Sequence, residues 1–196
     1  MSSTNRGAVR NKDDYYVTPH NTIREFLAFV RESDACIKKP FFYFGDKILD
    51  PSAGGCANYE MSYPKVLEEF DLPAESWDIR EDSRADKKGI NFLDTIGKEE
   101  YDTVITNPPF NQATEFVEKA LEHVADHGLV IMLQRLNWLG SQKRKQFWQT
   151  MPLAGVFIHS KRPGFDPENP NDTDSTEYAH FVFIKNYKLA ASLYSL

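Results

Sequence analysis

The sequence predicts an open, doubly wound α/β sheet with seven strands, mostly parallel and with an antiparallel strand at its edge. Short apolar runs alternate along the chain with segments whose apolar residues recur at helical spacing, which is the pattern of such a sheet. The run 128–134 is almost wholly apolar, as is typical of a strand buried on both faces. The last two apolar runs have no convincing helix between them, which predicts that they pair antiparallel.

These patterns assign the elements in chain order. A first helix is predicted over 22–30, where the apolar residues share one stripe, and a first strand over the short apolar run 47–50. Further helices are predicted over 59–70, 113–125 and 141–149, and further strands over 76–79, 89–92, 101–106, 128–134, 154–158 and 180–184. The pattern at 89–92 is weak. The elements form one domain, 13–188, between a flexible N-terminal tail at 1–12 and a C-terminal tail at 189–196.

The composition is that of an ordinary globular protein, with 41% hydrophobic and 27% charged residues. No apolar run approaches the roughly 20 residues that cross a bilayer, and the N-terminus carries no visible signal peptide. Cys36 and Cys56 fit free thiols in a reducing compartment, so we expect a cytoplasmic protein without membrane contact. Two cysteines and five scattered histidines predict no metal site.

Charge is distributed unevenly. The net charge of −6 argues against binding nucleic acid by bulk charge, but not against a local basic surface. The candidates for contact with an anionic partner are Arg135, Lys143, Arg144, Lys145, Lys161 and Arg162. For any single one of these cations, an ordinary position on a solvated helix face is about as good an explanation as contact with an anionic partner.

A small-residue loop follows the first strand. It consists of Asp50, Pro51, Ser52, Ala53 and Gly54. Small residues let the backbone turn tightly and approach a ligand closely. The loop lacks the Gly-Lys-Ser/Thr ending of a phosphate-binding loop and the full dinucleotide fingerprint. The acidic residue at the strand end favours a ligand with positive charge, although a simple glycine turn explains the loop alone nearly as well.

The next two strand ends carry further candidate ligand contacts. A carboxylate such as Asp78 at the end of a second strand can accept both hydroxyls of a ribose. Asn91 and Phe92 follow the third predicted strand, where an amide and an aromatic edge could grip an adenine ring, although Phe92 also fits a core position.

The segment Asn107-Pro108-Pro109-Phe110 follows the apolar run 102–106. The prolines fix φ and remove two backbone donors, so the loop exposes acceptors. The Asn107 side-chain oxygen and the Pro108 carbonyl can together accept both hydrogens of one NH₂ group, while the Phe110 ring stacks on the flat group that carries it. These residues are therefore the candidate catalytic site.

Together, Asp-Pro-Ser-Ala-Gly and Asn-Pro-Pro-Phe make the chain resemble S-adenosylmethionine-dependent amino-methyltransferases, above all the DNA adenine-N6 group. Tyr16, Thr18 and Pro19 match in type and position the family's Thr-Pro motif, which closes over the methionine end of the cofactor. That motif order resembles the gamma arrangement, and the segment 162–178 is similar to small phage-type enzymes. The resemblance covers residues 14–185.

The resemblance implies a Rossmann-like methyltransferase sheet, S-adenosylmethionine as cofactor and transfer of its methyl group to N6 of an adenine turned out of duplex DNA. It implies cofactor contacts from Asp78 with Ile79, from Asn91 and Phe92, and from Asn107, besides the Thr-Pro motif and the loop 50–54. A host cytoplasm is implied if the chain is phage-encoded, with a role in restriction–modification. Oligomeric state is left open.

The chain departs from the family pattern in three places. Asn91 stands where an acidic residue is frequent, and Cys56 replaces a frequent third glycine. The chain after Phe110 is long enough only to complete the sheet, so we expect no separate target-recognition domain and short or weak sequence specificity.

Other interpretations stay open at this point. The same type of Asn-Pro-Pro-aromatic site also serves enzymes that methylate guanine N2 in ribosomal RNA and enzymes that methylate a glutamine amide in release factors. A catalytically silent fold kept for binding DNA or a partner protein is a further possibility.

Overall fold

A seven-stranded sheet forms the centre of the protein in the computed structural model, which describes residues 16–33, 42–173 and 175–196. The strands are β1 (Ile48–Asp50), β2 (Ala74–Ser76), β3 (Tyr101–Thr106), β4 (Val124–Arg135), β5 (Leu153–Ile158), β6 (Tyr178–Ile184) and β7 (Ser192–Ser195). Their order across the sheet is β2-β1-β3-β4-β6-β5-β7.

The directions of the strands confirm the predicted doubly wound, mostly parallel sheet. Every neighbouring pair is parallel except those that include β6, which runs antiparallel to β4 and β5. The antiparallel strand thus lies in the half of the sheet that ends at β7. The carboxyl ends of β1 and β3 are neighbours, because Leu49 is in register with Val104. That register places the two loops with the strongest motifs side by side.

Within the described residues, four α-helices cover the two faces of the sheet: α1 (His20–Glu32), α2 (Ser62–Glu69), α3 (Ala113–His123) and α4 (Lys145–Thr150). On one face, Phe26 of α1 and Val66 of α2 join a core with Ile105 and Phe157. On the other face, α3 and α4 pack against side chains that include Val104 and Phe181. The predicted helix at 141–149 is a 3₁₀ turn over Gln142–Arg144 that continues into α4.

The sequence assigned two strands incorrectly. Residues 89–92 are not a strand, since Gly89 has a φ of +66° and Asn91 begins a 3₁₀ turn over Phe92–Asp94. The seventh strand is β7, within the segment predicted as a C-terminal tail. β7 pairs in parallel with β5, and the ring of Tyr194 in β7 stacks on Phe157 of β5 at 4.5 Å between centroids. Both contacts join β7 to a part of the chain that is distant in sequence.

Some predictions fall on parts of the chain that the structure does not describe, namely the flexible tail at 1–12 and the thiol of Cys36; Cys56 is a free thiol. Within the described ranges, no helix is both long and apolar enough to cross a membrane. The same ranges contain no group of three or more His, Cys, Asp or Glu side chains placed to hold a metal ion.

Candidate active site

The loop after β1 turns tightly at the carboxyl edge of the sheet. Gly54 and Gly55 both have positive φ, +69° and +72°, a conformation that costs residues with a Cβ energy. The Ala53 N–H donates to the Trp77 carbonyl at 2.9 Å. A Cβ on Gly55 would lie 2.9 Å from the Met61 side chain and 3.0 Å from that of Arg84, closer than ordinary van der Waals contact. The two glycines therefore permit both the backbone turn and its close packing.

Asp50 is a buried carboxylate at the end of β1, with only 1% of its surface exposed. Its Oδ1 accepts the Ser52 N–H at 3.1 Å, and the Thr106 hydroxyl also hydrogen-bonds to it. Burial raises the pKa of Asp50 to about 7; these two hydrogen bonds oppose the rise, and the charge of nearby Asp78 adds to it. A cation placed beside Asp50 would favour its ionised form, so the site suits an ammonium or sulfonium group.

The Asp78 carboxylate links the loop 50–54 to the turn after β2 by hydrogen bonds. Its Oδ2 accepts the Gly54 N–H and its Oδ1 accepts the Arg80 N–H, each at 2.7 Å. Burial raises the pKa of this carboxyl, while the two backbone hydrogen bonds act in the opposite direction. Each carboxylate oxygen keeps a second lone pair, so contact with ribose hydroxyls stays a prediction that this geometry permits. Ile79, the next residue, is 54% exposed beside it.

The Asn107 side chain is oriented by a residue from the far end of the chain. Its Nδ2 donates to Thr18 Oγ1 at 3.0 Å, and Thr18 itself is buried. Ser52 Oγ lies 2.6 Å from Thr106 Oγ1 and donates to the Asn107 carbonyl at 3.3 Å. The loops around residues 18, 52 and 107 are thus joined into one hydrogen-bonded unit, in which Asn107 has little rotational freedom.

The Oδ1 of Asn107 is buried and has no hydrogen-bond partner among the described residues. Leaving a buried acceptor unpaired costs roughly 1–3 kcal/mol, so such atoms are rare unless a ligand completes them. With Nδ2 held by Thr18, Oδ1 is the end of the amide that is left as an unused acceptor. This is the atom that the sequence selected as the acceptor for an amine.

Pro109 and Phe110 continue this loop into a short 3₁₀ turn. Pro109 precedes the turn with a φ of −52°, and its carbonyl accepts the Gln112 N–H at 2.9 Å. Pro108 is buried, whereas Phe110 is partly exposed. The two prolines thus fix the direction in which Phe110 leaves the sheet.

Aromatic side chains from distant segments surround Phe110. Its ring centroid lies 6.4 Å from that of Phe165 and 5.8 Å from that of Tyr178. Tyr16 makes an edge contact with Phe165 at 6.4 Å. No pattern in the sequence gave Phe165 or Tyr178 a role in the site. The only signal was their position within the segment similar to phage-type enzymes, and proximity to Phe110 is visible only in the fold.

Asn91 and Phe92 are held by contacts within the protein, and the adenine contact that the sequence suggested for them stays a prediction. The Phe92 ring is 1% exposed and packs in the core at 5.4 Å from Phe116 and 5.0 Å from His123. The Asn91 side chain accepts the Leu93 N–H and donates to Asp94 Oδ2 at 2.7 Å. Phe92 is therefore a core residue, and Asn91 caps a turn.

The six candidate cations have different surroundings. Arg135 lies against the Phe110 ring, whereas Lys143, Lys145 and Lys161 are exposed. Arg144 donates to the carbonyls of Trp138 and Gly140, both at 2.8 Å, and so holds the segment after β4. Arg162 pairs with Glu177 at 2.6 Å.

The remaining members of the predicted cofactor site, Pro19, Pro51 and Ala53, lie in the loops described above.

Solved structures with a similar fold include methyltransferases and restriction–modification proteins. A putative class I S-adenosylmethionine-dependent methyltransferase from Listeria monocytogenes has a TM-score of 0.60 and 14% identity, covering 92% of this chain and 65% of its own. A modification subunit of a putative type I restriction enzyme from Vibrio vulnificus has a TM-score of 0.56 and 13% identity, covering 92% and 47%. The type IIG restriction endonuclease BpuSI has a TM-score of 0.60 and 13% identity, covering 91% and 26%.

The fold is that of the methyltransferases. This chain spans less than two thirds of each of those three proteins, and at such low identities the likeness concerns the fold. A putative hemolysin from Streptococcus thermophilus shares the fold as well, with a TM-score of 0.57 and 10% identity. No family model matches the chain, and no curated protein matches its sequence.

Proposed function

We propose that this protein transfers a methyl group from S-adenosylmethionine to an exocyclic amine, and that its substrate is adenine N6 in DNA. The observation that carries the proposal is the buried Asn107 Oδ1, which has no partner among the described residues, in an amide whose Nδ2 is held by Thr18. An acceptor in that position matches a substrate that brings an N–H donor. An amine brings two, and the Pro108 carbonyl is the natural second acceptor.

The residues of the site fit the cofactor. Asp50 at the end of β1 suits the positively charged methionine end, since its pKa is raised to about 7 in the absence of a cation. Asp78 offers remaining lone pairs for ribose hydroxyls, and the exposed Ile79 side chain offers an apolar surface for the adenine ring of the cofactor. The bound cofactor would supply an electrophilic methyl group on its sulfonium sulfur.

The chain itself contributes orientation and polarisation. Two hydrogen bonds, to Asn107 Oδ1 and the Pro108 carbonyl, would hold both amine hydrogens and direct the nitrogen lone pair toward the methyl group. Positioning of this kind reduces the entropic part of the barrier. As the new N–C bond forms, the C–S bond of the sulfonium would break and leave a neutral thioether, so the positive charge passes to the nitrogen, which then loses one proton to water. Asn107 cannot take up that proton permanently, so it acts as an acceptor of hydrogen bonds and not as a base.

DNA is the proposed substrate for two reasons. The chain order, with Thr18 upstream of the loop 50–54 and Asn107 downstream, resembles DNA adenine-N6 enzymes. Two proteins of similar fold are described as restriction–modification proteins. The partly exposed rings of Phe110 and Phe165, packed beside the buried Tyr178, offer stacking surfaces for a base turned out of the duplex.

The test is methyl transfer by the purified protein from labelled S-adenosylmethionine to duplex DNA, ribosomal RNA and a release factor in parallel. We expect label in DNA, recovered as N6-methyladenine after digestion to nucleosides, and none with Asn107→Ala. Label only in guanine of RNA or only in glutamine of the release factor would replace the proposed substrate. Measurable cofactor binding without label in any of them would identify a silent binding protein and overturn the enzymatic proposal.

A further inference from the structure

One face of the partly exposed Phe110 ring is covered by an arginine. Arg135 ends β4, next to the strand that leads into Phe110, and its guanidinium carbon lies 5.2 Å from the centre of the Phe110 ring. The Arg135 Nε also donates to Tyr178 Oη at 3.2 Å. Tyr178 is only 1% exposed, so its hydroxyl is a fixed anchor. The Arg135 guanidinium is therefore held by the Phe110 ring and by the Tyr178 hydroxyl.

The distance from Arg135 to Phe110 leaves no room for a base. Stacked planar groups approach to about 3.5 Å, so a base between ring and guanidinium would need about 7 Å between them. The structure has 5.2 Å. Stacking of a base on this face of Phe110 thus requires Arg135 to move away.

We propose that Arg135 is a displaceable cover of the Phe110 ring, and that it makes base binding on this ring selective for nucleic acid over free nucleosides. The inference rests on the proposed function, because it concerns the base that Phe110 would receive. An entering base takes the place of the guanidinium on the ring. In nucleic acid the displaced guanidinium gains a backbone phosphate beside the turned-out nucleotide, which replaces the contact that it loses. A free nucleoside displaces Arg135 without offering that replacement.

The neighbouring cations do not share this position. Arg162 pairs with the exposed Glu177, and Arg144 is bonded to backbone carbonyls after β4. Arg162→Gln is accordingly the matched control, since it removes a guanidinium from the same region of the protein without uncovering the Phe110 ring.

The test compares adenosine with a short DNA duplex that carries one unpaired adenine, by equilibrium binding in the presence of S-adenosylhomocysteine. For Arg135→Gln we expect adenosine to bind about 3- to 10-fold more tightly than to the original protein. This range corresponds to the free energy of the cation–π contact, which adenosine no longer has to displace. We expect the duplex to bind more weakly, with a salt dependence reduced by about one phosphate contact. Arg135→Lys keeps the charge and should retain the salt dependence. Arg162→Gln should leave adenosine binding unchanged.

A second measurement needs no substitution at Arg135. In the free protein the Arg135 Nε–H resonance should be shifted by the Phe110 ring current, and adenosine should remove that shift. An Arg135 resonance that adenosine leaves unchanged would overturn the proposal, and so would equal losses of adenosine and duplex binding in Arg135→Gln. These readouts are independent of catalysis, so they separate this inference from the proposed function, which fails if the unsubstituted protein methylates no adenine.

Discussion

Asn107 Nδ2 donates a hydrogen bond of 3.0 Å to Thr18 Oγ1, across 89 positions of the chain. This contact sets the orientation of the Asn107 amide, and it leaves Oδ1 as an acceptor without a partner among the described residues. It also attaches the segment before α1 to the loop after β3. The Thr-Pro motif at Thr18 and the Asn-Pro-Pro-Phe segment at Asn107 are therefore joined by a hydrogen bond.

Replacing Asn107 by alanine should abolish methylation while cofactor binding persists. The loss of the amine acceptor should reduce the transfer rate by about 100-fold or more, comparable with removal of a preorganised hydrogen bond at a reacting centre. Transfer is measured as label in DNA, and cofactor affinity by calorimetry. Gln146→Ala, which removes an exposed amide on α4, is the control and should retain full activity. Activity within a few-fold of normal in Asn107→Ala would contradict the assignment.

Replacing Thr18 by valine should impair transfer through Asn107. Valine has nearly the same shape but no hydroxyl, so Nδ2 loses its partner and the amide loses its fixed orientation. We expect the rate to fall about 10-fold or more and the free energy of unfolding to fall by about 1 kcal/mol. Thr18→Ser keeps the hydroxyl and should largely restore the rate. In a double-mutant cycle with Asn107→Ala, the two effects should be strongly non-additive; simple additivity would show that they act separately.

The Asp50 carboxyl should make cofactor binding dependent on pH near neutrality. Its pKa is raised to about 7, and a bound cation favours the ionised form, so cofactor affinity should decrease as pH falls below about 7. Asp50→Asn should weaken binding at pH 8 and remove this dependence. Asp126→Asn, at an exposed carboxylate, is the control and should leave the profile unchanged.

The same carboxyl affects the stability of the cofactor-free protein with a defined sign. In the unfolded chain the pKa of Asp50 returns to the ordinary aspartate value of 3.8, whereas the folded state holds the proton up to about pH 7. Stability should therefore fall as pH rises from about 4 to about 7. Asp50→Asn should stabilise the cofactor-free protein at pH 8, by up to about 4 kcal/mol at 1.36 kcal/mol per pKa unit. Thermal unfolding at pH 5 and pH 8 measures this, and an equal effect at both values would contradict it.

Substitutions of Ile79 and Phe92 should have different effects, on cofactor affinity for Ile79 and on stability for Phe92. Ile79 is 54% exposed, so Ile79→Ala should leave the free energy of unfolding within about 0.5 kcal/mol and weaken cofactor binding several-fold. Phe92 is buried, and Phe92→Ala should cost about 3–5 kcal/mol of stability. Denaturant unfolding and calorimetry measure the two effects. An unchanged cofactor affinity in Ile79→Ala would remove that residue from the binding site.

Arg144 and Lys143 are adjacent in sequence but should respond differently to substitution. Arg144 bonds to the Trp138 and Gly140 carbonyls, so Arg144→Ala should lower the melting temperature. Lys143 is exposed, so Lys143→Ala should leave the melting temperature unchanged and reduce the salt dependence of DNA binding by about one phosphate contact. An unchanged salt dependence in Lys143→Ala would place the DNA-binding surface elsewhere.

Most of the sheet and the proximity of two of its loops could be predicted from the sequence. Asp50 and Asn107 follow apolar runs, and the carboxyl ends of neighbouring parallel strands meet at one edge. Their proximity follows from strand order alone. The strand over 192–195 was not predictable in this way, because its four residues are held by pairing with β5 and by the stacking of Tyr194 on Phe157. The turn at 89–92 depends equally on the positive φ of Gly89.

By itself, the sequence determined the methyltransferase-type sheet and the side chains that end its strands, since apolar periodicity and motif spacing are local properties. Only the tertiary structure decided which atoms of those side chains have partners within the protein. Asn107 Oδ1 is left without a partner among the described residues while Thr18 holds the other end of the amide, and one face of Phe110 is covered because Arg135 extends from the next strand. Hydrogen-bond partners and ring contacts between segments far apart in the chain exist only after folding, so no local pattern encodes them.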